Sequence, residues 1–385
     1  MIGENIDFTD IEPYRDEHVK QVLVGLLKDE PFLEVMEYVY PEKTVEELDA
    51  LLLTIDTIDK FQSEIAYQAM KNIINGTVQE ITIDGLDKIE KDKEHLFISN
   101  HRDIILDSAL FNVLLHEREY TTTETAIGDN LLGHPTVNAL TKLNKNFTVK
   151  RDLVGRELYD SSLKLSQYIR RSVMNDSSSI WISQREGRAK DGDDKTQKGV
   201  LNMLGLSSEE DLMSSLKPLN IRTLSVSYEY DPCDVVKIRE IIARTKEEDY
   251  IKKPGEDKQS IILGITGKKG RVNFTIGSGN IFSAEGEEQN KADQLQQIAT
   301  NIDKEIYSNY KLWPNNYIAC DMLSGVLQFK NKKYDEADWQ VFTSYIETIM
   351  SSFEKEPEAR EKLIKKYAFP VINAGLVVTS TDVIV

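Results

Sequence analysis

Cysteine is scarce in this 385-residue chain: Cys233 and Cys320 lie far apart, and there is no CxxC pair. Two lone thiols exclude a disulfide framework and point to a reducing cytoplasm. Long apolar runs are missing as well. None reaches the roughly 20 residues needed to span a bilayer, and the nearest approach, Phe369 to Ser380, is broken by Pro370, Asn373 and Gly375. Met1 to Arg15 carries Glu4, Asp7, Asp10 and Glu12. That acidity fits neither a signal peptide nor a transit peptide. Positive charge is in deficit, with 47 Lys and Arg against 65 Asp and Glu, a net charge of -18. Such a balance disfavours a nucleic-acid partner and general adhesion to anionic lipid.

Several catalytic signatures are absent too. No GxSxG occurs, which argues against a serine hydrolase. Gly264-Ile-Thr-Gly-Lys-Lys-Gly270 does not end in the Gly-Lys-Ser/Thr of a phosphate-binding loop. Gly277-Ser-Gly279 lacks the third glycine of a dinucleotide site. His18, His95, His116 and His134 show no metal-ligand spacing, and Asp191-Gly-Asp-Asp194 reads as a solvated loop without the calcium-hand pattern. No metal is expected.

What remains is an ordinary globular composition, 40% hydrophobic and 29% charged, with its charge unevenly spread. Between Lys142 and Lys190 eleven basic residues face five acidic ones. A local positive field in an acidic protein marks a site for an anionic ligand.

Residues 1 to about 75 read as helical. Thr44-Val-Glu-Glu47 is a capping box, followed by an apolar stripe through Val45, Leu48, Leu51, Leu52, Ile55, Ile58 and Ile65. Asn75-Gly76 is placed to close that helix. From Val78 short β-rich runs alternate with helical ones. Strands are expected at Val78–Ile83, Leu96–Ser99, Phe147–Val149, Ile180–Ser183 and Thr223–Tyr230, with helices from about Ile104 and near Arg156–Met174. Ile261–Thr266 and Arg271–Ile276 look like a late hairpin, and from Glu287 the pattern is helical again, broken at Trp313-Pro314. The fold class is therefore α/β, a mostly parallel mixed sheet with flanking helices, plus N- and C-terminal helical segments. Three regions follow: 1–76 helical, 77–285 α/β, and 286–385 a helical extension.

Two segments carry chemistry. In Ile98-Ser-Asn-His-Arg-Asp-Ile-Ile-Leu-Asp107 an apolar strand ends, and a histidine stands at the turn into a helix, where α/β sheets bind ligands. His101 can serve there as a general base on a hydroxyl. It needs an orienting carboxylate, and Asp103 and Asp107 both lie within reach. In Trp181-Ile-Ser-Gln-Arg-Glu-Gly-Arg-Ala-Lys190 a second strand ends in a turn rich in cations. Gly187 permits close backbone approach. Arg185 and Arg188 can grip a phosphate by forked hydrogen bonds, and Lys190 adds a point charge. Lys150-Arg151 follows a third strand end. Converging in one parallel sheet, these ends describe a site that binds a phosphorylated alcohol and deprotonates its hydroxyl.

The blocks Asn100-His101…Asp107, Lys150-Arg151, Glu186-Gly187-Arg188 and Ser225-Val-Ser-Tyr-Glu229 resemble, in order and approximate spacing, those of the glycerolipid acyltransferase family, over roughly residues 78–282. The resemblance implies that His101 takes the proton from an acceptor hydroxyl attacking an acyl thioester. It implies that an aspartate holds the imidazole, that Arg151 and Arg188 bind the acceptor phosphate, and that Glu186-Gly187 shapes the acceptor pocket. It further implies glycerol-3-phosphate or 1-acylglycerol-3-phosphate as acceptor, acyl-CoA or an acyl carrier protein as donor, no cofactor, and a peripheral place on the inner face of the membrane. Five residues separate His101 from Asp107 where the family has four, so either aspartate can be the partner. A different lipid acceptor, or a non-catalytic module binding lipid or acyl carrier, stays open as an alternative.

Overall fold

The computed structural model describes residues 6–246, 250–251, 255–282 and 290–376. The chain opens with short helices, α1 (Asp16–Leu26), α2 (Glu30–Val39), α3 (Val45–Thr54), α4 (Ile58–Phe61) and α5 (Tyr67–Thr77). The Thr44 capping box is present: the Thr44 amide donates to Glu47 Oε2 (2.9 Å) and the Glu47 amide to Thr44 Oγ1 (3.3 Å). The apolar stripe is not one helix, however. It breaks at Ile55, and Thr57 caps α4. Gly76 lies inside α5 rather than closing it, and Val78 stands at the cap. Most stripe residues nonetheless share one core, with Leu48, Leu52, Ile55, Ile58 and Ile65 packed together with Phe32 and Met36, while Val45 is exposed.

The middle of the chain builds a seven-stranded sheet. Its strands are β1 (Val78–Asp84), β2 (Leu96–Ser99), β3 (Glu124–Gly128), β4 (Asn146–Val149), β5 (Ile180–Ser183), β6 (Arg222–Tyr228) and β7 (Gly270–Ile276), in the order β1-β7-β6-β2-β5-β3-β4. Neighbouring pairs are parallel except β6 with β7. The fold class is thus the mixed, mostly parallel α/β sheet that the alternation of patterns implies. Between the strands run α6 (Leu106–His116), α7 (Pro135–Leu143), α8 (Gly155–Met174), α9 (Lys198–Leu204), α10 (Leu212–Leu216), α11 (Asp234–Lys246) and α12 (Glu256–Thr266).

Period-two alternation sorts the strand residues into two cores. Leu96, Ile98, Ile180 and Ile182 face α8, α9 and α13 (Lys291–Asn309). Phe97 and Trp181 face the opposite way, with Leu106, Leu110 and Phe111 of α6. Short strands buried on both faces are what a covered parallel sheet requires. The outer edge of β4 is sealed by the N-terminal segment, where the Thr148 amide donates to the Ile11 carbonyl (2.8 Å). The C-terminal helices α14 (Pro314–Ser324), α15 (Glu336–Met350) and α16 (Glu358–Asn373) share a further core with α11. The expected helical start at Glu287 lies outside the described residues, as does the part of the Phe369–Ser380 run beyond Leu376. Among the described residues no helix is long and apolar enough to cross a membrane.

The sheet departs from the sequence reading in two places. The late hairpin does not form: Ile261–Thr266 belongs to α12, and β7 pairs instead with β1 and β6. Tertiary packing overrides the β-branched run, because Gly264 presses α12 onto the loop after β2. The strand β3 was hidden by its polar composition. Its buried Glu124 is held by Arg15 (2.9 Å) and the Tyr168 hydroxyl (2.5 Å). A Cβ at Gly264 would overlap the Asp103 carboxylate. Gly264→Ala is therefore expected to lower stability by about 1–3 kcal/mol, despite its better helix propensity, as a shift in the urea midpoint at unchanged slope.

Candidate active site

His101 stands two residues beyond β2, in the loop that leads into α6. The chain there is fixed on both sides. Asn100 continues the ladder with its side chain, accepting from the Val226 amide (2.7 Å) and donating to the Val226 carbonyl (3.0 Å). Arg102 is buried, its guanidinium paired with Asp194 and lying 5.2 Å from the Tyr310 ring. The expectation of a solvated Asp191–Asp194 loop is therefore wrong at its last residue. Asp194 is buried because Arg102 and Asn100 both need its carboxylate.

The structure separates the two candidate aspartates. Asp107 Oδ2 lies 2.8 Å from His101 Nδ1 and also accepts the amides of Arg102 (2.6 Å) and Asp103 (3.0 Å). Asp103 turns the other way. Its Oδ1 accepts the amides of Ile105 (3.0 Å) and Leu106 (2.9 Å), capping the start of α6. Burial, then the neighbouring Asp107, raises the Asp103 carboxyl above its ordinary value. The five-residue spacing thus still delivers Asp107 to the histidine. With Nδ1 on a carboxylate, the ring carries its proton there, leaving Nε2 as the basic nitrogen. Trp181 packs edge-on against the imidazole, ring centroids 5.8 Å apart, and holds the ring plane. Tyr228 lies buried beside the pair, and burial first, then Asp107 and Asp103, push its hydroxyl well up.

The loop after β5 docks onto this loop. The Gln184 amide donates to the Ser99 carbonyl (2.8 Å) and the Ala189 amide to the His101 carbonyl (3.0 Å). Gly187 has φ +69°, a conformation side chains disfavour. No protein atom lies within 4 Å of where its Cβ would stand, so backbone shape rather than crowding demands glycine there. Glu186 is exposed, and its carboxylate meets Arg151 at 2.7 Å, bridging the ends of β4 and β5.

The cations divide. Arg151 follows the carboxyl end of β4, and Arg185 and Arg188 that of β5, with β3 between the two strands. Arg185 Nε and Arg188 Nη1 are buried with no hydrogen-bond partner among the described residues. Arg188 also lines a pocket of about 250 Å³ with Lys237, Tyr250 and Glu256. Lys190 is drawn to Glu240 (3.0 Å) on α11. Lys150 turns away to Asp10 (2.7 Å), which it shares with Lys164 (2.5 Å). Adjacent residues in extended chain point to opposite sides, so Lys150 and Arg151 cannot both face the histidine. Among the described residues no group of three His, Cys, Asp or Glu side chains could hold a metal ion.

A histidine oriented by a buried carboxylate, beside arginines at parallel strand ends, can deprotonate a hydroxyl next to an anionic group. Residues 80–199 match the family model described as Acyltransferase. The matched stretch runs from β1 to the start of α9. In overall structure the chain is similar to the 1-acyl-sn-glycerophosphate (LPA) acyltransferase PlsC from Thermotoga maritima, with a TM-score of 0.31 and 13% identity, covering 74% of this chain and 94% of that one. No curated protein sequence matches.

Sequence reasoning missed Trp181 and Tyr228 as neighbours of the dyad, although both sit inside the quoted blocks. Only strand pairing shows which face they occupy. The two aspartates should part on mutation. Asp103→Ala is expected to cost about 1 kcal/mol through the lost helix cap, read by urea melting, and to leave the His101–Asp107 pair in place.

Proposed function

We propose that this protein is an O-acyltransferase carrying a fatty acyl group from acyl-CoA or an acyl carrier protein to a hydroxyl of glycerol-3-phosphate or 1-acylglycerol-3-phosphate, at the surface of a membrane. The observation that carries the reading is the 2.8 Å contact of His101 Nδ1 with a 1% exposed Asp107, in a histidine whose own side chain is 14% exposed. The base is oriented from behind and open in front. Its Nε2 takes the acceptor's hydroxyl proton as the oxygen attacks the thioester carbonyl. The tetrahedral adduct collapses, the C–S bond breaks, and the imidazolium returns the proton to the leaving thiolate. Asp107 keeps the imidazole in the Nδ1–H form and stabilises the transient cation.

Arg185 and Arg188 support a phosphate on the acceptor, since each has a buried N–H with no partner among the described residues, and charge-assisted hydrogen bonds to phosphate are the strong ones. Arg151 would join them by exchanging Glu186 for the ligand. Region 77–285 would hold the chemistry, with the helical regions 1–76 and 286–385 flanking it. A second reading, the same transfer to a lipid acceptor without phosphate, is favoured by one observation: Arg151, Lys150 and Lys190 already hold carboxylates.

Free thiol release from palmitoyl-CoA and palmitoyl carrier protein, with each acceptor in turn, tests the reading. Acceptor-dependent release is expected to fall by about 10²–10⁴ in His101→Ala with the fold retained; undiminished release would remove His101 from the mechanism. Arg188→Ala is expected to raise the acceptor KM by about tenfold or more, the equivalent of one charge-assisted hydrogen bond. An equal rise in the donor KM would count against phosphate binding.

A further inference from the structure

The peptide unit joining Arg102 to Asp103 is engaged at both ends. Its N–H, on Asp103, donates to Asp107 Oδ2 (3.0 Å), the oxygen that also contacts His101 Nδ1. Its C=O, on Arg102, accepts from the ammonium of Lys237 (2.6 Å), which projects from α11. In a trans peptide these two groups point in opposite directions, and no described peptide bond is cis. The result is a line of hydrogen bonds from a buried cation, through one amide, to the carboxylate that orients the imidazole. A charged donor on the carbonyl polarises the amide and strengthens its N–H as a donor, the more so in a low-dielectric interior.

The ammonium is itself held. Lys237 is 1% exposed and lies 2.6 Å from Asp231 Oδ2, which also takes Lys366 of α16 at 2.6 Å. Lys366 pairs in turn with Asp234, whose other oxygen accepts the hydroxyls of Tyr345 (2.5 Å) and Tyr367 (2.7 Å). The Lys237 ammonium thus stands between the Asp231 carboxylate and the Arg102 carbonyl. Nothing in the local sequence marks Lys237, which reads as one more cation on an amphipathic helix.

We propose that Lys237 is a positioning residue that tunes the basicity of His101 through the Arg102–Asp103 peptide, so that the C-terminal helices set the proton affinity of the candidate base. The inference rests on the reading of His101 as that base. The charged and titratable groups facing Lys237 are Asp231, Lys366, Arg188 and Cys233, with Asp194 beyond the Arg102 side chain. Those facing the Asp107 carboxylate are His101, Arg102, Asp103 and Tyr228, with Lys269 behind Asp103. Lys237 joins the two sets through a backbone amide.

With the ammonium removed, the peptide N–H donates more weakly, Asp107 holds its charge less tightly, and it stabilises the imidazolium better. The His101 titration must then move up. A guanidinium in place of the ammonium keeps a positive donor beside the carbonyl, and the titration must then stay near its wild-type midpoint.

The test is an NMR titration of the His101 ring in the full chain, its resonance identified by its loss in His101→Gln. In Lys237→Met the midpoint is expected to rise by roughly half a pH unit, and in Lys237→Arg to stay near the wild-type value. Tyr345→Phe loosens the same network at its far end while leaving the ammonium in place, and is expected to move nothing. An unmoved midpoint in Lys237→Met, an equal rise in Lys237→Arg, or an equal shift in Tyr345→Phe would each overturn the proposal. Should Lys237→Met fail to fold, Lys237→Gln decides, and an unmoved midpoint there refutes it. The titration needs no substrate. Failure here is therefore separate from a failure to find acyl transfer.

Discussion

One carboxylate oxygen organises this site. Asp107 Oδ2 collects the His101 imidazole, the Arg102 amide and the Asp103 amide within 3.0 Å. Three donors on one oxygen fix the loop after β2 as well as the ring, because two of them belong to the backbone that carries the histidine. The loop cannot shift without breaking bonds to the residue it serves. Buried 1% exposed at the first turn of α6, Asp107 also joins the loop to the helix whose other residues fill one of the two sheet cores.

Around this centre the protein buries an unusual quantity of charge for a chain with so acidic a surface. Arg102 with Asp194, and Lys237 and Lys366 with Asp231 and Asp234, are all withdrawn from water. Such groupings add little net stability over an apolar core, but breaking one partner out of them is costly, about 3–5 kcal/mol. Their effect is to permit one arrangement of the loops and to penalise the others. Asp231 illustrates the balance. Burial raises it, yet the two ammonium groups outweigh burial and hold it well below the carboxylate range.

Much of the architecture was legible because it obeys simple periodicities. β2 and β5 are apolar triads, each closed by a serine, between turn signals, and the long amphipathic α8 is bounded within one residue of its expected span. The polar β3 and the β-branched α12 were not legible. In each, tertiary partners decide the conformation: Arg15 and Tyr168 for Glu124, the Asp103 loop for Gly264. The site shows the same division. His101 and its two candidate carboxylates can be read from a strand end followed by a helix. The choice of Asp107 over Asp103 depends on which amides each oxygen meets. Lys237 and Lys366 lie 136 and 265 positions from His101 in the sequence, and only folding brings them to its neighbour.

The Lys366 ammonium, and the close approach of the Gly192 backbone to the Lys366 carbonyl, bear on the order in which the chain is made. Synthesis runs from N- to C-terminus, and domains generally fold as they emerge. Here the sheet can assemble once β7 is out, and Asp231 then has Lys237, but Asp234 lacks its cation and Asp231 its second one until α16 follows. A nascent chain therefore carries its histidine and aspartate well before the buried charges of α11 are balanced. A chain cut short before that helix would keep its strands and lose the ion pairs that Lys366 makes.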